Sequence, residues 1–326
     1  MSKRAMIRLG TVLLAFTFVL AACSNASNQK EAASSVENQE SSGTRVVKDA
    51  FGDVTIPSHP KNMLVMSSKY AEYLIEMGIT PQMVSFVPEI EPAYRLPYFE
   101  KHGVKMIQEQ QYQMNYEKLL NLSPDLIITQ GEGMDAQVYE KVSRIAPTIA
   151  LQAGSGMYDA MPKLADLFDK KIESEKVLAE FSEKATRARE KIHQAIGNKT
   201  VLILRVDPKQ YRYLGSQAGE SSEFFYKTLG LKIPDIFKDS KDWFTPFSLE
   251  ILPEIKPDFV FLEKRMIQNY NSADSLKSLE ESPLWKNMDA VKNNHVFPLK
   301  TSDFVEGEGP IGSSLLIDYI VEKLVP

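Results

Sequence analysis

The chain has one cysteine, at position 23, so no internal disulfide can brace it. Its four histidines, at 59, 102, 193 and 295, are scattered without metal-ligand spacing, which argues against a bare zinc or manganese site. No dense basic run interrupts a formal charge of −5, which argues against nucleic acid as a general partner. Beyond the N-terminal segment, no stretch stays apolar for the roughly 18 residues that a membrane span needs. Neither a G-x-S-x-G nucleophile elbow nor a G-x-x-x-x-G-K-S/T phosphate loop occurs, so the chain is not read as an enzyme.

What is present is 326 residues, enough for two domains, with an ordinary 43% apolar and 25% charged content. Residues 1–22 read as a signal peptide: Lys3, Arg4 and Arg8 precede "TVLLAFTFVLAA", and "LAAC" places small residues before Cys23. A thiol immediately after the cut is the bacterial lipoprotein pattern, so Cys23 is expected to carry the lipid anchor. Residues 23–44 hold almost nothing apolar and are expected to form a disordered tether. The mature protein is thus expected outside the cytoplasm, anchored to the outer face of the cytoplasmic membrane.

The remainder alternates short apolar runs with helical patterns, twice over. An N-terminal α/β lobe is expected over 45–160, opening with a hairpin that turns at Gly52-Asp53. A connecting region over 161–197 contains a long proline- and glycine-free helix, with Val177, Phe181 and Ile192 on one stripe. A C-terminal α/β lobe occupies 198–326, including a helix over "SSEFFYKTLG". Two Rossmann-like lobes joined by one long helix would enclose a cleft, because ligands of open α/β sheets bind beyond the carboxyl ends of the strands.

One unit occurs twice. "NYEKLLNLSPDLII" (115–128) and "SLEILPEIKPDFVF" (248–261) align on Glu117 and Glu250, with Leu at plus two, an apolar residue at plus five and Pro-Asp at plus seven and eight. With the lipoprotein box, the tether and the opening "DAFGDVTIPSHPKNMLVM", this pattern resembles the class III substrate-binding lipoproteins of ABC importers. That is the periplasmic-binding-protein-like family for ferric siderophores, cobalamin and haem; Asn62 stands where that family commonly has arginine. The resemblance implies that Glu117 and Glu250 dock onto arginines of a two-subunit permease, served by its ATPase. It also implies a monomer with no cofactor of its own, whose ligand is a ferric siderophore with iron held by the chelator.

Cleft contacts are expected where loops follow strands. Arg205 stands out inside the apolar "LILRV", and Arg95 and Tyr94 follow the second strand of the first lobe. Trp243 lies in a loop that lines the cleft in the family. Tyr213, Gln130, Lys69 and Arg265 complete the candidates, with "EGEGP" (306–310) offering flexible backbone at the cleft mouth. This mixture of aromatics and few arginines favours a hydroxamate or citrate-hydroxamate chelate. Ferric catecholate or citrate, haem and cobalamin are the alternatives, and a structural lipoprotein without transport is the rival class.

Overall fold

The computed structural model describes residues 43–110, 113–154, 156–217, 219–265 and 271–326. The expected leader, Cys23 and all but the last two residues of the expected tether lie outside the described residues. The described chain opens with an antiparallel pair, β1 (Thr44–Lys48) and β2 (Asp53–Pro57). Its turn comes slightly earlier than Gly52-Asp53, because Asp53 already pairs with Lys48. Asp49 fixes that turn: its carboxylate accepts the amides of Phe51 (2.7 Å) and Gly52 (2.9 Å). It also accepts the Ala150 amide at 3.0 Å, which ties the hairpin to the first lobe.

That lobe contains β3 (Met63–Val65), α1 (Ser68–Glu76), β4 (Met83–Phe86), α2 (Arg95–Lys101), β5 (Lys105–Gln108), α3 (Tyr116–Asn121), β6 (Leu126–Gln130), α4 (Ala136–Ser143) and β7 (Thr148–Leu151). Its sheet is wholly parallel, in the order β5-β4-β3-β6-β7. Because helices cover both faces, the strands are apolar runs rather than alternating ones. Leu64 and Ile127 face one cluster, whereas Met63, Val65, Leu126 and Ile128 face another. Then α5 (Met157–Leu167) leads into α6 (Lys171–Ile196), which packs on α5.

The second lobe contains β8 (Val201–Asp207), β9 (Gln210–Leu214), α7 (Gly219–Ser222), β10 (Phe244–Phe247), α8 (Leu252–Ile255), β11 (Phe259–Lys264), α9 (Ala273–Glu281), α10 (Pro283–Lys286), α11 (Asp289–Lys292), β12 (Val296–Leu299) and α12 (Pro310–Leu324). Its order, β10-β9-β8-β11-β12, repeats the first sheet's plan, but β9 and β10 run antiparallel to their neighbours. Pro246 is tolerated in β10 because that strand is an edge. The helix expected over "SSEFFYKTLG" is instead one α-turn continuing into a π-helical turn, Glu223–Thr228, which buries Phe225 completely. Along α6, Phe181, Ala185, Ala188, Ile192 and Ile196 are buried in a core shared with residues of both sheets, and Val177 packs at its margin.

The duplicated unit has the same physical construction in each lobe. Asn115 caps α3 through the Lys118 amide, and Ser248 caps the short 3-10 turn Leu249–Ile251 through the Glu250 amide. Leu119 and Leu252 are completely buried. Six residues beyond each glutamate the backbone turns left-handed, at Ser123 (φ 48°) and Lys256 (φ 42°), just before the proline. The following aspartate is a clamp. Asp125 accepts the amides of Lys61 (2.6 Å) and Asn62 (2.9 Å), ahead of β3. Asp258 accepts the Thr200 amide (2.7 Å) and hydroxyl (3.2 Å), ahead of β8. The clamp joins the feet of the two central strands in each sheet.

Replacing Asp258 with alanine leaves the Thr200 donors unsatisfied in a half-buried position. We expect a loss of about 1–3 kcal/mol in urea unfolding, whereas Glu250→Ala leaves the unfolding midpoint unchanged.

Candidate functional site

The carboxyl ends of β3, β4, β5 and β6 surround a cavity of about 730 Å³. Ser67, Ser68 and Lys69 enter it from the start of α1, Phe86 from β4, and Gln130 from the end of β6. Gln110, Gln113, Met114 and Tyr116 form a wall of amides, a thioether and a phenol after β5, and Val305 and Glu306 arrive from the second lobe. Of the expected contacts, the structure brings Lys69 and Gln130 to this cavity. The glutamine-rich wall was missed because β5 was not recognised; its signal was "QEQQYQMNY", a polar stretch directly after an apolar pair.

The arginines expected to reach ligand are held by carboxylates. Arg95 opens α2 and is completely buried. It donates to Glu72 (3.0 Å), Glu91 (3.3 Å), the Ser68 hydroxyl (3.3 Å) and the Glu306 carbonyl (2.7 Å). Burial alone would lower its pKa, but Glu72, Tyr94 and Glu91 outweigh it and hold the guanidinium firmly cationic. Tyr94 donates to Glu72 (2.6 Å) and lines a separate cavity of about 370 Å³ with Pro298 and Tyr319.

On the second lobe, Arg205 is 1% exposed and Glu263 is 0% exposed, and Arg205 donates to both Glu263 oxygens, one at 3.0 Å. Burial lowers the arginine's pKa and raises the glutamate's; each partner opposes the shift of the other. Phe244 lies 3.6 Å from the guanidinium carbon, measured to its ring centre, and Trp243 lies at 5.0 Å. Trp243 is itself 41% exposed, just ahead of the β10 edge strand. Arg265 (3.8 Å) and Arg212 (3.1 Å) share the buried Asp207 at the end of β8. Tyr213 stacks on Phe237 (centroids 3.6 Å apart) within the second lobe's core.

Glu117 and Glu250 are both exposed, each in the first turn after its cap. "EGEGP" is a strap between the lobes: Lys69 pairs with Glu308 (3.1 Å), and the Tyr73 hydroxyl donates to the Glu308 carbonyl (3.2 Å). Gly307, Gly309 and Gly312 have dinucleotide-loop spacing, but Glu72 occupies the start of α12, accepting the Ile311 amide at 3.1 Å. A Cβ on Gly309 would meet that Glu72 carboxylate at 2.6 Å, so these glycines serve close packing. Among the described residues, no three His, Cys, Asp or Glu side chains group as a metal site.

A family model described as periplasmic binding protein matches residues 64–302. The iron(3+)-hydroxamate-binding protein FhuD of Bacillus subtilis is 31% identical, over 97% of this chain and 98% of its own. A second iron(3+)-hydroxamate-binding protein of that organism, YxeB, is 27% identical over 99% and 97%. The crystal structure of an FhuD fold-family component of a ferrichrome ABC transporter, also from Bacillus subtilis, superposes with TM-score 0.70 at 28% identity. It covers 86% of this chain and 99% of that one. The chain belongs to the periplasmic binding protein family. Its class is therefore that of the substrate-binding components of ABC importers, two α/β lobes on one long helix.

Removing one partner of the Arg205–Glu263 pair strands a buried charge. Glu263→Ala is expected to cost about 3–5 kcal/mol of stability, read as a large drop in thermal midpoint. Exposed pairs such as Lys227–Glu223 should lose about 1 kcal/mol or less on the same change.

Proposed function

We propose that this protein is a lipid-anchored extracytoplasmic receptor that captures a ferric trihydroxamate siderophore and delivers it to a two-subunit ABC permease with its ATPase. The single observation that carries the ligand class is the charge balance at the cleft. Lys69 is matched by Glu308, Arg95 by Glu72 and Glu91, Arg205 by Glu263, and Lys118 by Glu109, while Arg212 and Arg265 share Asp207. A tricatecholate or citrate chelate of iron brings several negative charges and needs spare cations to offset its desolvation. A trihydroxamate neutralises ferric iron and leaves none to offset. It asks for shape, apolar surface and neutral hydrogen-bonding groups, which the Gln110, Gln113, Met114, Tyr116 and Gln130 wall supplies. The hydroxamate-binding names of the two Bacillus relatives support the same reading.

Within this proposal, Lys69, Gln130 and Trp243 contact ligand, whereas Arg95, Arg205, Tyr94, Tyr213 and Arg265 shape and balance the walls. Cys23 carries the lipid, and Glu117 and Glu250 meet arginines of the two permease subunits. An exposed carboxylate in such a contact contributes orientation and on-rate more than affinity.

The test uses two readouts. With Trp285 buried in the second lobe's core at 5% exposure, a Trp285→Phe variant isolates Trp243 as reporter. A ferric trihydroxamate should quench it at lower concentration than ferric tricatecholate, ferric citrate, haem or cobalamin; tighter binding of any of these overturns the ligand class. Glu117→Ala with Glu250→Ala should leave that titration unchanged and abolish uptake of chelated iron in cells. Uptake at the native rate would remove the docking role.

A further inference from the structure

A second feature of the lobe junction bears on which chelates the cleft accepts, and its ligand arm rests on the siderophore reading above. Glu308, in the strap before α12, is held among groups from both lobes. Its carboxylate receives Lys69 Nζ at 3.1 Å from α1 and the Ser221 hydroxyl at 3.1 Å from α7. The Glu220 carboxyl, on α7, lines the same small cavity beside it. Glu220 in turn accepts the Gly156 amide of the first lobe at 2.6 Å. The approach is tight: a Cβ on Gly156 would lie 2.4 Å from Glu220 Oε1.

The surrounding charges are mostly negative. Glu72, Tyr70 and Tyr73 face the site from α1, Asp159 from the start of α5, Glu132 from the loop after β6, and Glu223 from the π-helical turn. The cations nearby are Lys69, which also lines the ligand cavity, Lys163, paired with Asp159 at 2.6 Å, and the more distant, paired Arg95. A buried carboxyl among neighbouring carboxylates stays ionised only at a cost, which a bound proton relieves.

We propose that Glu308 takes up a proton at the lobe junction, and that this proton sets the charge that Lys69 presents to the cleft. With Glu308 ionised, its carboxylate neutralises Lys69 and the cleft wall beside it carries no free positive charge. With the proton in place, Glu308 no longer offsets Lys69, which offers its charge to a ligand. The receptor is then selective by pH: it tolerates a chelate with an anionic tail better in acid surroundings, while an uncharged chelate is held equally at either pH.

The direction follows from burial. Burial pushes the Glu308 carboxyl up to about 7, opposed by Lys69 and reinforced by Glu220. A folded-state value above the ordinary 4.5 means that the proton's contribution to stability is full below about 4.5 and is lost as pH rises through 7. The change therefore falls within the range met outside a bacterial membrane.

The test begins with the ligand-free protein carrying carboxyl-labelled glutamate, titrated by carbon NMR. One resonance should titrate near pH 7, vanish in Glu308→Gln and move to lower pH in Glu220→Gln. Absence of any glutamate carboxyl titrating above pH 6 overturns the proposal, whatever the protein binds. The second arm compares a ferric trihydroxamate bearing one carboxylate tail with an uncharged one. From pH 8.5 to 5.5 the tailed chelate should gain about fivefold in affinity, as one unit charge within the cleft implies, and the uncharged one should not change. Glu308→Gln should hold the tailed chelate at the acid-side affinity throughout; a persistent slope in that variant overturns the coupling to Lys69. If the uncharged chelate fails to bind while the carboxyl titrates near 7, the siderophore reading falls and the Glu308 proton stands.

Discussion

One carboxylate at the foot of each sheet organises the molecule. Asp125 and Asp258 bind the amides that lead into the first strand of their lobes, and so lock β6 beside β3 and β11 beside β8. Everything at the opposite, carboxyl ends of those strands depends on that register. In a parallel pair a slip of one residue exchanges the two faces of a strand. Arg205 would then leave Glu263, and Leu204 would turn into the charged end of the sheet. The clamp also fixes the short helix before it, whose other end carries the exposed glutamate. A left-handed residue before the proline reverses the chain between helix and strand, a conformation that Ser123 and Lys256 adopt at some steric cost. Its recurrence at the same offset marks the unit as a built feature rather than a chance sequence match.

At the cleft, the fold has traded free cations for buried ion pairs. A buried pair adds little net stability against an apolar alternative, so its value lies in geometry. Arg95 ties α1, its own helix and the strap from the second lobe into one cluster through Glu72, Glu91 and the Glu306 carbonyl. Arg205 fixes β8 to β11 and sits over the rings of Phe244 and Trp243. These side chains preorganise the walls, while the surface after β5 carries mainly neutral hydrogen-bonding groups. Preorganisation of that kind improves binding by reducing what must be ordered on association.

Much of this was legible in the sequence. The parallel strands showed as apolar runs, α6 as a glycine-free amphipathic stretch, and the two glutamates as a repeated unit. The losses have physical reasons. The strand β9 reads "QYRYL" and packs one face on aromatic rings, so no apolar run announces it, and β10 carries a proline that only an edge allows. Arg205 was expected to contact ligand; its carboxylate partner, Glu263, lies 58 residues away on a neighbouring strand and leaves no local pattern. Arg95 and Tyr94 were read as loop residues and open a helix, because Pro97 in its first turn resembles a breaker. The strap at 306–310 was read as flexible backbone at the cleft mouth; its contacts with Lys69, Tyr73 and Glu72 are all long-range and leave no local pattern.

We propose that the cleft recognises an electrically quiet chelate through shape and neutral groups. The most direct test of this is calorimetric titration of a ferric trihydroxamate at rising sodium chloride concentration. Affinity that holds nearly constant from low to high salt is the predicted result, since matched charges leave little long-range field for the ligand. A steep fall in affinity with salt would show that unpaired cations drive binding, and would contradict the account.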